Sequence, residues 1–150
     1  MKKLIIYLDT SVLGGCFDEE FKEGSLALFQ RFKDKVFTPA ISTVVLEELL
    51  GAPQHIRDVV AKLEGVIIYE LNDSIRALAK RYLQENIVPR KYSDDALHIA
   101  IATFYGADVL VSWNFKHIVN LNRIHGFNAA NLREGYKALE TRNPNEVIYE

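Results

Sequence analysis

The chain has 150 residues, 49% hydrophobic and 25% charged, which suits one domain with a sizeable core and excludes disordered and fibrous classes. A formal net charge of −2 gives no global pull towards nucleic acid, so any such contact needs a local basic patch and is salt-sensitive. No apolar run is long enough to span a bilayer, and Cys16, the only cysteine, excludes an internal disulfide and a cysteine-based zinc site.

The start Met1-Lys2-Lys3 is basic, but the apolar run after it ends at Asp9, too early for a secretory leader. A cytoplasmic protein is the expectation. That run, Leu4-Ile5-Ile6-Tyr7-Leu8, reads as a buried strand. It stops at Asp9, Thr10 and Ser11, which places a carboxylate and two hydroxyls where an open α/β sheet binds ligands. A helix is predicted from about Gly24 to Lys35, with Leu26, Leu28, Phe29 and Phe32 on its apolar side. Val36–Ile41 reads as a second strand, and Pro39 inside it suggests an edge or a strand end.

Ser42 looks like the N-cap of a helix from Thr43 to about Leu50. Pro53 opens another helix to about Leu63, and Val66–Tyr69 is a third strand. Asn72 or Asp73 caps a helix to about Glu85, and Pro89–Tyr92 is a basic loop. Ser93 is read as the cap of a nearly all-apolar helix from Asp94 to Tyr105, closed by Gly106. Asp108–Ser112 is a fourth strand. A short helix through His117 and Ile118 and an irregular tail follow, with an edge strand suggested at 143–149. Strands alternating with helices argue for a central parallel sheet of four to five strands with helices on both faces.

The chemistry lies in acids. Glu48 projects between Val44 and Val45, at the margin of a buried stripe, where a carboxylate needs water, a cation or a metal. Asp94 and Asp95 sit in a first helical turn, where acids also complement the helix dipole. Ser112 and Asn114 follow the fourth strand, where turn chemistry is the plain alternative. Carboxylates gathered at one crevice repel, and a proton or a divalent cation must relieve them. Oxygen ligands of this kind suit Mg²⁺ or Mn²⁺, which can orient water against a phosphodiester. Thr10, Ser11 and Ser112 could hold those carboxylates or waters in place.

The segments Tyr7–Val12, Ile41-Ser42 through Glu48-Leu49, Asp95–Ala100 and Val109–Asn114 resemble the four ordered motifs of PIN-domain ribonucleases. The resemblance covers roughly Leu4 to Ile118, with 119–150 an extension of the same domain. It implies a PIN-like fold and an Mg²⁺- or Mn²⁺-dependent endoribonuclease, in many bacterial members the toxin of a toxin–antitoxin pair. It implies RNA as substrate, an antitoxin as partner and a homodimer. By motif position Asp9, Glu48 and Asp95 match the three acids that hold the metal, with Asp94 the alternative third. Asn114 stands where the fourth acid is usual. A catalytically weakened PIN domain that binds RNA or protein is the second reading. A phosphatase with Asp9 as nucleophile fits poorly, because Ser11 stands where a second aspartate is wanted.

Arg90, Lys91, Lys116 and His117 flank the third and fourth motifs and could touch RNA phosphates, while Tyr92, Trp113 or Phe115 could stack on a base. His98 is read as a satisfied buried histidine that could also bond a carboxylate. Phe17, Phe21, Leu26 and Phe29 are read mainly as core, with a partner surface as the alternative.

Overall fold

A computed structural model describes residues 2–149; Met1, counted above with the basic start, lies outside them. The apolar run forms β1 (Leu4–Leu8). It is the middle strand of a sheet completed by β2 (Phe37–Ser42), β3 (Ile67–Tyr69), β4 (Val109–Val111) and β5 (Thr141–Arg142). The order is β3-β2-β1-β4-β5 and every pairing is parallel. Ile6, Tyr7 and Leu8 are fully buried, as a central parallel strand covered on both faces requires.

The connections explain where a site can form. From β1 the chain moves outward through β2 to β3, then returns to the other side of β1 for β4 and β5. The carboxyl ends of β1 and β4 therefore flank the topological switch point, the place where open α/β sheets bind ligands. Asp9 and Ser112 are the residues that follow those two strands.

Several helices follow their sequence signals. Ser42 accepts a hydrogen bond from the Val45 backbone at 3.3 Å and caps α3 (Thr43–Leu49). Asn72 accepts from Ile75 and caps α5 (Asp73–Gln84). Gly106 closes α6 (Ser93–Tyr105) at φ 68°, a left-handed position that favours glycine. Pro53 precedes α4 (Gln54–Ala61), and α2 runs from Lys22 to Lys33.

Other expectations give way. Pro39 lies in an interior strand, not at an edge. It is tolerated because β3 pairs with β2 only from Ala40 onward, so β2 is paired on one side alone at Pro39. Ser93 is the first residue of α6 rather than its cap, and its side chain makes no capping bond. The turn Arg90–Tyr92 is a short 3-10 segment that runs straight into the helix. A helix absent from the sequence reading, α1 (Thr10–Gly15), starts directly after Asp9. Its six residues are too few to show a period.

The irregular tail is largely helical. Asn120 accepts from Arg123 and caps α7 (Leu121–Arg133). Gly126 and three asparagines within α7 weaken the local helical signal. Tertiary contacts override it: Phe127 packs edge-on against Tyr82 at 4.9 Å, and fully buried Asn131 accepts from the Tyr82 hydroxyl and donates to Thr103 at 3.2 Å. At 143–149 the expected edge strand is instead α8 (Pro144–Ile148), which Asn143 opens with a capping box. The edge strand exists, but earlier, at Thr141–Arg142.

Candidate active site

Asp9 is buried, 4% exposed, and both its oxygens are occupied by hydroxyls. Ser11 donates to Oδ1 at 2.6 Å and Ser112 donates to Oδ2 at 2.6 Å. Ser11 also accepts the Trp113 backbone N–H at 2.9 Å, and Ser112 accepts that of Asn114 at 2.9 Å. The two serines thus tie the ends of β1 and β4 together around one carboxylate. Glu48 arrives from the last turn of α3 with its side chain 31% exposed. Its Oε1 accepts from Thr10 at 2.8 Å and bonds His98 Nε2 at 2.7 Å. His98, on α6, is buried, and its Nδ1 bonds the Tyr7 hydroxyl at 2.8 Å.

Asp95 and Asp94 part company on α6. Asp95 is half-buried and Asn114 Nδ2 donates to it at 3.4 Å; Asp94 is exposed. The Asn114 oxygen is turned away from this contact and accepts the backbone N–H groups of Lys116 at 3.2 Å and His117 at 2.9 Å. It closes the turn after β4 instead of offering a free oxygen ligand.

Of the flanking basic residues, Arg90, Lys91 and Lys116 are exposed. His117, expected near the surface, is buried at 4% exposure, and Tyr92 covers its ring at a centroid distance of 3.9 Å. Neither ring nitrogen has a hydrogen-bond partner among the described residues. His117 therefore reaches no phosphate in this arrangement. Trp113 is also buried, and of the aromatics named above Phe115, 46% exposed, stands openly beside the site.

No protein-family model matches the sequence, and no curated protein matches it. Solved structures do. VapBC2 from Rickettsia felis, bound to a DNA fragment from its promoter, is 18% identical, with 92% of this chain and 98% of that chain covered at a TM-score of 0.58. VapC20 from Mycobacterium tuberculosis, a toxin that cleaves the sarcin–ricin loop, is 17% identical over 89% of this chain and 98% of that one, with a TM-score of 0.57. A toxin–antitoxin complex from Klebsiella pneumoniae is 20% identical over 75% and 88%, with a TM-score of 0.56. This chain has the PIN-like fold.

Within that fold the acids feel one another. Burial pushes the Asp95 carboxyl up to about 6, opposed by His98 and reinforced by the negative charges of Asp9 and Glu48. Burial also raises Asp9, against the pull of His98 and the two serine hydroxyls. Glu48 pays a burial penalty too, but the His98 and Thr10 bonds outweigh it and hold its carboxyl below the usual range. Burial disfavours a charged His98, yet the Glu48 bond and the surrounding carboxylates raise it overall.

These donors fit a hard divalent cation by chemistry, because they are carboxylate oxygens. They do not form a ready cage. Among the described residues no group of three His, Cys, Asp or Glu side chains is placed to hold a metal ion. Hydroxyls and an imidazole bond the oxygens of Asp9 and Oε1 of Glu48.

The raised Asp95 carries a stability consequence. Its folded pKa of about 6 lies above the ordinary value of 3.8, so the folded state holds the proton more tightly. The Asp95 contribution to metal-free stability is then fully present below about pH 4 and is lost as pH rises through 6. Asp95→Asn is expected to remove that loss. After discounting for partial exposure, the variant is about 1–2 kcal/mol more stable than the parent at pH 7.5 in chelator and equal to it near pH 4. Urea unfolding at the two pH values measures this; a variant less stable at pH 7.5 contradicts it.

Proposed function

We propose that this protein is an Mg²⁺- or Mn²⁺-dependent endoribonuclease acting as the toxin of a toxin–antitoxin pair in the cytoplasm. One observation carries the reading. In a PIN-like fold, Asp9, Glu48 and Asp95 are brought from β1, α3 and α6 into mutual electrostatic reach beside the β1–β4 switch point. Asp9, Glu48 and Asp95 would hold the ion. Such an ion would supply activation of a water nucleophile and charge neutralisation at a phosphodiester.

The chain's own groups do the rest. Ser11 and Ser112 orient Asp9, Thr10 orients Glu48, and Asn114 orients Asp95 while shaping the turn that carries Lys116. Arg90, Lys91 and Lys116 are exposed, in the segments just before α6 and just after β4, and guide the RNA backbone as point charges. Phe115 offers a face for an unpaired base. An antitoxin segment fits the groove of about 390 Å³ between α1, α2 and α4, where half-exposed Phe17 and Leu26 meet Phe29 and Phe32. A homodimer completes this reading, to be checked by light scattering.

The test is purified protein incubated with mixed RNA in Mn²⁺, in Mg²⁺ and in chelator. Cleavage with either ion and none in chelator supports the proposal. Lys91→Ala with Lys116→Ala is expected to weaken RNA binding uniformly and to reduce the slope of log affinity against log salt by about 1–2. An unchanged slope would remove these lysines from the interface. The second reading, an RNA- or protein-binding module, is favoured by the Asn114 oxygen, already taken by two backbone N–H groups. RNA bound tightly without metal-dependent cutting would decide for it.

A further inference from the structure

We propose that His98 and Tyr7 are positioning residues: a buried hydrogen-bond chain running from α3 through Ser42, Tyr7 and His98 fixes Oε1 of Glu48 and leaves Oε2 to meet the divalent cation. This rests on the metal-dependent reading above.

The chain is continuous. The Val45 N–H donates to Ser42 Oγ at 3.3 Å, Ser42 and the Tyr7 hydroxyl share a bond of 2.7 Å, Tyr7 meets His98 Nδ1 at 2.8 Å, and His98 Nε2 meets Glu48 Oε1 at 2.7 Å. Tyr7 and Ser42 are fully buried and His98 is 2% exposed, so water replaces none of these links. Direction follows from chemistry. A carboxylate only accepts, so Nε2 carries the hydrogen towards Glu48 in either charge state of the ring. Thr10 supplies a second donor to the same oxygen at 2.8 Å. Oε2 has no hydrogen-bond partner among the described residues.

The source of the chain is packed in a stack of rings. The Tyr7 ring lies nearly parallel to Tyr69 at 6.3 Å, and Tyr69 stacks on Tyr105 at 4.3 Å. A core alone has no use for this arrangement. Phenylalanine at 7 and an apolar residue at 98 would leave no buried polar group to satisfy. What the polar groups add is a fixed orientation for one carboxylate, drawn from β1, β2 and α6 at once.

Two readouts test this without RNA cleavage. The first is Mn²⁺ affinity of the protein alone, by electron paramagnetic resonance. His98→Ala is expected to weaken it about 10–100-fold, and His98→Gln, which keeps an N–H, to recover part of the loss. Tyr7→Phe removes one oxygen and keeps the ring, so it serves even where His98→Ala does not fold; about 3–10-fold weaker binding is expected, the size of one hydrogen bond. In a Glu48→Ala background neither substitution should weaken Mn²⁺ further, whereas a merely structural role gives additive losses. The second readout is the ¹⁵N spectrum of His98 in metal-free protein, where Nε2 should be protonated and the Nδ1 resonance should move in Tyr7→Phe.

Additive losses, an unchanged affinity in folded His98→Ala, or a bare Nε2 would overturn the proposal. Wild-type protein that binds no Mn²⁺ at all would overturn the metal reading and this proposal together. Mn²⁺ binding indifferent to His98 and Tyr7 would overturn this one alone.

Discussion

Asp9→Asn should reduce metal-dependent RNA cleavage by about 10³-fold or more while leaving the protein folded. The magnitude follows from the role proposed for the ion. A bound metal supplies several kcal/mol of transition-state stabilisation, and each 1.36 kcal/mol is tenfold in rate. The substitution removes the charge of the most buried acid at the site and keeps its shape. The fold should tolerate it because the partners of Asp9 are hydroxyls. Ser11 and Ser112 now donate to it, and a serine hydroxyl can turn to accept from the new amide N–H₂. The variant's thermal transition should therefore stay close to that of the parent. Cleavage that survives in Asp9→Asn at a comparable rate would mean that the activity comes from elsewhere in the molecule, or from a contaminant.

The second large effect is structural and acts one residue before Asn114. Trp113→Ala should cost about 3–5 kcal/mol, the range for truncating a large buried aromatic. The indole is 6% exposed, stacks on Phe21 at 4.5 Å and donates from Nε1 to Ser25 Oγ at 2.9 Å. Ser25 passes the link to the Val12 carbonyl at 2.9 Å, so the tryptophan joins β4 to α2 and α1. Its slot is made by glycines. A Cβ on Gly15 would stand 2.7 Å from Trp113 Nε1 and 2.6 Å from Ser25 Oγ, and a Cβ on Gly24 would stand 2.7 Å from Trp113 Cη2.

This predicts opposite signs at neighbouring positions. Gly15→Ala should destabilise by about 1–3 kcal/mol through overpacking. Gly14→Ala, with nothing within 4 Å of the new Cβ, should be neutral or stabilising by up to about 1 kcal/mol through helix propensity. Denaturant midpoints of the pair measure the difference. Equal effects at 14 and 15 would show that the slot is not tight.

The sequence by itself determined the strands and the caps whose signals are local. An apolar β-branched run ending in Asp9, a serine before Thr43, an asparagine before Asp73 and a glycine after Tyr105 each act within a few residues, so each can be read from its neighbours. The PIN-like fold was legible too, because four motifs keep their order along the chain. Tertiary structure alone decided the rest. Pro39 could enter an interior strand only because its outer neighbour begins at Ala40. α7 forms despite weak propensity because Tyr82 and Thr103 bond Asn131, a match between residues 28 and 49 positions apart. Asn114 could have offered its oxygen to an ion, but the turn after β4 uses it. The link from Tyr7 through His98 to Glu48 spans three elements: the sequence offered His98 as a buried histidine able to bond a carboxylate, but neither which carboxylate nor the tyrosine behind it. Local signals fix an element; which polar groups meet across elements depends on the register and packing that only the folded sheet sets.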